Sequence, residues 1–221
     1  METSSIAGLC ILIATVIISY QGINDIYFLD RYSFKINAIL IHKDYKRLVS
    51  SGFLHADWAH LVFNMMTFYS FSSSLEMTIG IPRFLAIYFG SLLGGNLLAL
   101  YIHRNDNRYS AVGASGAVSG LVYAAIALFP GMELGLFFLP LSIPSWLFGL
   151  LYTLYTLYGI KSQHDNIGHE AHLGGGLIGL IAAIAMYPYV LQTNYLPILL
   201  IVIPSSVFLY LVITRPGFLS R

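Results

Sequence analysis

The sequence predicts an all-α fold, a polytopic helix bundle embedded in a membrane, and three observations predict it. Only 10% of the 221 residues are charged, against 57% hydrophobic and a mean hydropathy of +0.74, whereas a soluble domain carries about 25% charged residues. The charges fall in clumps separated by gaps as long as a membrane span. The polar residues inside those gaps gather toward one end of three of them. So few charges cannot cover a dissolved globule of 24.5 kDa, which excludes a soluble domain, and disorder and a disulfide scaffold with it. Cys10 has no intrachain partner and says nothing of redox compartment. A net charge of +1 leaves no footprint for nucleic acid.

Stretches free of Asp, Glu, Lys and Arg run 3–24, 58–75, 84–103, 109–132, 134–160 and 171–214. A helix needs about 20 apolar residues to cross the hydrocarbon core, and the last gap holds two, broken at Tyr187-Pro188 and Gln192-Thr193-Asn194 before Pro197. Seven helices are predicted, near 6–23, 58–75, 84–102, 111–130, 140–160, 171–190 and 195–213. They form a single domain over 1–221, with a core of about 1–190 and one added C-terminal helix. The first lacks the basic start and small-residue cleavage site of a signal peptide, so it is kept as a span. The second reads as the shortest and most polar, with Ser70, Ser72, Ser73 and Ser74 at its end.

Residues 24–57 hold five of the eleven basic residues and four of the ten acids, with Tyr27, Phe28, Tyr32 and Phe34 interleaved. A loop of that length is either plain surface or carries structure of its own, and mixed aromatic and basic residues suit the headgroup layer of membrane lipid.

Inside a membrane each polar residue needs a partner or a purpose. The second helix has His60 and Asn64 at i, i+4, on one face. The fourth opens with Gly113-Ala114-Ser115-Gly116-Ala117-Val118-Ser119-Gly120, and the sixth with Gly168-His169-Glu170-Ala171-His172-Leu173-Gly174-Gly175. All three start on the same side of the bilayer, and each polar group lies roughly 5–10 Å below the interface at 1.5 Å per residue. One shared site explains that coincidence of depth better than three separate ones. Gly116-x-x-x-Gly120 and Gly175-x-x-x-Gly179 are small-residue stripes that let helix backbones approach. Gly90-x-x-x-Gly94 adds a third. His172 shares its face with Gly175 and Gly179, so Ser115 and His172 are expected to face each other across a tight crossing of the fourth and sixth helices.

A serine hydroxyl needs a base to become a nucleophile, and histidine titrates in the useful range. No carboxylate completes a triad: the acids lie at or beyond helix ends, and Glu170, two residues before His172, points to another face. The pair is therefore a Ser–His dyad, with the Asn64 amide, the His60 ring and the Ser115 backbone N–H as candidate oxyanion donors. His169-Glu170-Ala171-His172 falls one residue short of H-E-x-x-H, so no metal or other cofactor is expected. Gly113-x-Ser115 is no nucleophile elbow, since position 117 is Ala and no strand pattern precedes it. His55 reads as ordering the long loop, while His42, His103 and His164 read as solvated loop residues. Tyr152, Tyr155 and Tyr158 read as packing or interface anchors.

Gly52-Phe-Leu-His55-Ala-Asp-Trp-Ala-His60-Leu-Val-Phe-Asn64, Gly113-Ala-Ser115-Gly116 and Ala171-His172-Leu-Gly-Gly175 resemble the motifs of the rhomboid intramembrane serine proteases. The resemblance covers about residues 40–190. It implies an enzyme that cleaves transmembrane segments of other membrane proteins, with Ser115 as nucleophile, His172 as general base, and His60 and Asn64 lining the oxyanion hole. It also implies that residues 24–57 are partly embedded in the interface, and that the seventh helix is the extra C-terminal span of the six-plus-one form. Two positions depart from the pattern. Lys46 stands where the family's loop often has tryptophan before the arginine (here Arg47). Ser119 stands where many members carry a tyrosine stacked on the catalytic imidazole, so another group must hold His172. The alternative reading is a non-catalytic protein of the same fold that binds transmembrane helices. A transporter would need polar residues across the whole bilayer, and these cluster at one end.

The chain is expected to be an integral multi-pass protein of a bacterial plasma membrane, its oligomeric state left open. With seven spans, Arg31, Lys35, Lys43, Lys46, Arg47, Arg104, Arg108, Lys161, Arg215 and Arg221 share one side and only Arg83 the other. Positive charge alone puts the ten-residue side in the cytoplasm. The resemblance implies the reverse, an amino terminus inside and Ser115 reached from outside, and is preferred because the motifs tie topology to the fold.

Overall fold

The structure, a computed structural model, describes residues 5–129, 131–135, 142–162, 167–215 and 218–219. Its elements run α1 (Ile6–Asn24), α2 (Ile26–Tyr32), β1 (Phe34–Lys35), α3 (Ile36–Leu40), α4 (Arg47–Ser50), α5 (Trp58–Ile79), α6 (Ile81–Ile102), β2 (Ser110–Ala111), α7 (Ser115–Leu128), β3 (Glu133–Gly135), β4 (Ser142–Pro144), α8 (Ser145–Ser162), α9 (His169–Met186), α10 (Val190–Thr193) and α11 (Tyr195–Thr214). The seven predicted helices are α1, α5, α6, α7, α8, α9 and α11. Of the described helices, α1, α6, α9 and α11 are long and apolar enough to cross a membrane by themselves. The protein is a polytopic helical bundle.

Two predicted helices need correction. The second is not the shortest, because α5 has 22 residues. Glu76 closed its charge-free gap at 75, yet that carboxylate does not end the helix. It accepts hydrogen bonds from the Ser5 hydroxyl at 2.6 Å and the backbone N–H groups of Ala7 and Gly8 at 3.1 and 2.8 Å. It therefore caps α1 from a neighbouring helix, where the orphan donors and the positive end of the helix dipole favour an anion. The chain leaves α5 at Gly80, whose φ of 78° favours glycine. The shortest is α7, 14 residues long, because its first turn starts at 115 rather than 111. Gly113 has φ 138°, and Ser110–Ala111 pairs antiparallel with Phe34–Lys35. A strand does precede Gly113, contrary to the sequence reading, but two residues paired with one loop strand make no α/β-hydrolase sheet.

Helix α7 is too short to span a membrane by itself. Fourteen residues rise about 21 Å, against a hydrocarbon core of about 30 Å. Every residue of α7 after Ser115 is buried, so the helix is held inside the bundle. At its other end Asn194, just before α11, donates its amide to the carbonyl of Ala127 at 3.2 Å and to that of Ile126, closing orphan acceptors of the last turn.

Helices α6, α7 and α9 touch backbone to backbone. A Cβ on Gly175 would collide with the Gly116 carbonyl, and one on Gly179 with the Gly120 carbonyl. Gly90 and Gly94 meet Ile178 of α9. Residues 24–57 are a folded element. Asp25 caps α2 through the Tyr27 and Phe28 N–H groups, and Arg47 donates to the carbonyls of Asp30 and Ser33 at 2.9 and 2.7 Å and to the Asp44 carboxylate at 2.9 Å. Arg47 thus anchors the loop from within, while Lys46 lies over the Tyr32 ring at 6.0 Å. Asn96 of α6 donates to the Leu48 carbonyl at 2.7 Å and fastens the loop to the bundle.

Candidate active site

The turn before α7 is pinned by the long loop. The Gly113 N–H donates to the Ser51 carbonyl at 3.0 Å, and the Ala114 N–H to His55 Nε2 at 3.4 Å. The His55 tautomer follows from its other neighbour. Ser19 Oγ donates to the Phe53 carbonyl at 2.9 Å, so its single proton is spent and His55 Nδ1 donates to it across 2.8 Å. Nε2 is then bare and accepts from Ala114. Burial, and secondarily the neighbouring His60, push the His55 pKa down to about 3, with Asp57 pulling weakly the other way. His55 therefore stays neutral, and it orders the turn that presents Ser115 as well as the loop.

Three helices then meet at one cavity of about 1050 Å³, whose wall includes His60, Asn64, Gly113, Ser115, Glu170 and His172. His60 and Ser115 come together over Gly113. A Cβ there would sit 3.0 Å from His60 Cε1 and Nε2 and 3.5 Å from Ser115 Oγ, so only a glycine, at its φ of 138°, leaves room for both. The His60 ring meets His55 edge-on at 4.8 Å. Asn64 donates one amide hydrogen to the His60 carbonyl at 3.1 Å, which leaves its other amide hydrogen for the cavity. His172 is 9% exposed, on the face of α9 that rests against α7. Ser115 and His172 share the wall of this cavity.

The group beside His172 is one the sequence left as packing. The Tyr152 ring of α8 lies 6.1 Å from the imidazole with the planes 23° apart. Its hydroxyl meets Ser119 Oγ at 2.8 Å, and Ser119 donates to the Ser115 carbonyl at 2.8 Å. Ser119 thus spends its proton on its own helix and accepts from Tyr152, joining α8 to the turn that carries Ser115. The place for a ring vacated at Ser119 was the signal for such a residue. Helical periodicity could not say which of three tyrosines filled it.

His103 corrects a second reading. It is not solvated: its side chain is 13% exposed, with Nε2 2.9 Å from Glu170 Oε1, and its ring stacks on Tyr109 at 3.7 Å with the planes 11° apart. His42 is exposed, and His164 lies outside the described residues. His169 is buried, edge-on to Tyr155 at 5.0 Å and to His172 at 5.8 Å. Among the described residues no three of His, Cys, Asp and Glu stand where they could share a metal ion.

Fold and cavity define an integral membrane helix bundle with a polar cavity lined from several helices. A model of the rhomboid domain matches residues 42–189, about the reach of the motif resemblance. The chain belongs to the rhomboid family. It is similar to "Rhomboid protein 1, mitochondrial" of Saccharomyces cerevisiae, 29% identical over 65% of this chain and 43% of that one. It is also similar to "RHOMBOID-like protein 12, mitochondrial" of Arabidopsis thaliana, 28% identical over 80% and 56%, and to "Putative rhomboid protease YdcA" of Bacillus subtilis, 33% identical over 64% and 69%. The chain thus spans about half the length of the two mitochondrial relatives.

Proposed function

We propose that this protein is an intramembrane serine endopeptidase that cleaves transmembrane segments of other membrane proteins. The observation that carries the reading is that Ser115, His172, His60 and Asn64, from three helices, open on one cavity at the N-terminal end of α7. Ser115 Oγ attacks the scissile carbonyl while His172 takes its proton. The Asn64 amide, the His60 ring and the Ser115 N–H receive the oxyanion. His172 then protonates the leaving amine as the C–N bond breaks, and water releases the acyl group by the same route. A substrate helix hides its peptide bonds in its own hydrogen bonds and must unwind to reach Ser115, so Gly, Pro and small residues near the membrane surface favour cleavage.

A fluorophosphonate probe tests the dyad. The reading expects labelling at Ser115 that Ser115→Ala abolishes; a folded wild-type protein that takes no label would make it the helix-binding member of the fold instead. We further propose a bacterial plasma membrane with the amino-terminal side inside and Ser115 reached from outside. A cysteine at Asn105 in a Cys10→Ser background, probed on intact cells with an impermeant thiol reagent, tests the orientation. Labelling only after lysis would reverse it. Fractionation of the source cells tests the membrane, since two of the relatives carry "mitochondrial" in their names.

A further inference from the structure

Glu170 is a buried acid for which the dyad has no use. It is 4% exposed, in the first turn of α9 and two residues before His172. Its carboxylate stands 2.9 Å from His103 Nε2. Tyr109 lines the same cavity, close enough for its phenol to feel the Glu170 carboxylate. Burial, and then the Glu170 charge, push that phenol above its ordinary value. Tyr109 stacks on His103 and meets Phe34 edge-on at 6.0 Å, and Gly168 lies beneath its hydroxyl, a Cβ there falling 3.8 Å away. Burying a carboxylate costs several kcal/mol unless partners compensate, and here the partners come from one segment, residues 103–109.

That segment leads directly to the nucleophile. The Tyr109 carbonyl accepts from the Ile36 N–H at 3.3 Å, Ser110 and Ala111 pair with β1, and Gly113, Ala114 and Ser115 follow. Glu170, Tyr109, Ser115 and His172 line the same cavity. One contact therefore spans the two chain segments that carry the reacting atoms.

We propose that Glu170, packed against His103 and Tyr109, is a positioning residue that sets the start of α9 against the segment delivering Ser115, and so fixes the spacing of Ser115 and His172. The proposal rests on the serine-protease reading above. Misplacing reacting groups by about 1 Å costs up to about a hundredfold in rate. The test is the second-order rate of fluorophosphonate labelling together with its final stoichiometry, on protein in detergent. Glu170→Ala is expected to reach wild-type stoichiometry at a rate lowered roughly ten- to hundredfold. Glu170→Gln, which keeps an acceptor oxygen for Tyr109, is expected to recover most of the rate, and Tyr109→Phe to fall between the two. Because Tyr109→Phe keeps the stack on His103, it tests the link even where Glu170→Ala does not fold. Wild-type rates in all three variants would overturn the proposal, as would a loss of stoichiometry with the rate per labelled site unchanged, which marks a role in folding alone. A wild-type protein that takes no label sinks the protease reading itself, a result distinct from either.

Discussion

Two helix crossings in this bundle solve the same problem in opposite ways. Where α7 meets α9, backbone rests on backbone: Gly116 against Gly175, and Gly120 against Gly179. Where α8 meets α11, side chains fill the space, with Leu157 and Phe208 in one cluster and Ile201 over Gly149. The first joins the two helices that carry Ser115 and His172; the second joins the added helix to the core. Side-chain packing tolerates volume-conserving change, whereas a backbone contact has no atom that can give way. A site whose reacting groups must sit within about 0.5 Å of their productive places needs the stiffer join.

The sharpest way to break that contrast is Gly175→Val, which drives a branched side chain into the Gly116 carbonyl. It is expected to abolish probe labelling and the cooperative unfolding transition, both read in detergent. Ile201→Val at the other crossing is expected to cost about 1 kcal/mol and leave labelling intact. Equal tolerance at the two crossings would remove the distinction.

The next largest effect is expected at the proposed oxyanion donors. Asn64→Ala leaves the backbone contacts alone and should lower kcat by a hundredfold or more, about 3 kcal/mol, with the unfolding temperature nearly unchanged. Full activity in a folded variant would make Asn64 structural.

Smaller again is the effect of the ring beside His172. Tyr152→Leu removes both the ring facing His172 and the bond to Ser119, and kcat should fall about tenfold with KM kept, of the order set by small losses of alignment. Tyr152→Phe keeps the ring and should retain most of the rate. If Tyr152→Phe loses as much rate as Tyr152→Leu, the bond to Ser119 rather than the ring carries the effect.

Much of this arrangement was legible in the sequence. Gaps between charges located seven helices, because charge is costly in hydrocarbon, and the small-residue stripes identified the helices that touch. Legibility failed where a polar group is satisfied by a distant partner. Glu76 read as the limit of a helix because nothing local reveals that it caps α1. His103 read as solvated because Glu170 lies 67 residues away in sequence. Tyr152 stood among equivalent tyrosines, and the two-residue strand at Ser110 was too short to leave a pattern. Such pairings are made by the tertiary fold, where periodicity carries no signal.

A separate prediction concerns pH and reads stability rather than rate. His55 is buried neutral, with a folded pKa of about 3 against 6.5 for the free group. Between those values the unfolded chain binds more protons, so stability is complete above about pH 6.5 and is lost progressively as pH falls toward 3, by at most about 1.4 kcal/mol per pH unit. The unfolding temperature should drop across that window, and His55→Gln should flatten the drop. An unchanged slope in the variant would assign the acid sensitivity elsewhere.

The central claim is that the cavity at the N-terminal end of α7 cuts a substrate helix through Ser115 and His172. The most direct measurement is cleavage of a single-span substrate in proteoliposomes, with the product termini read by mass spectrometry. The account predicts one cut near the membrane surface beside a Gly or other small residue, absent in Ser115→Ala and in His172→Ala. Cleavage that persists in folded Ser115→Ala protein would contradict it.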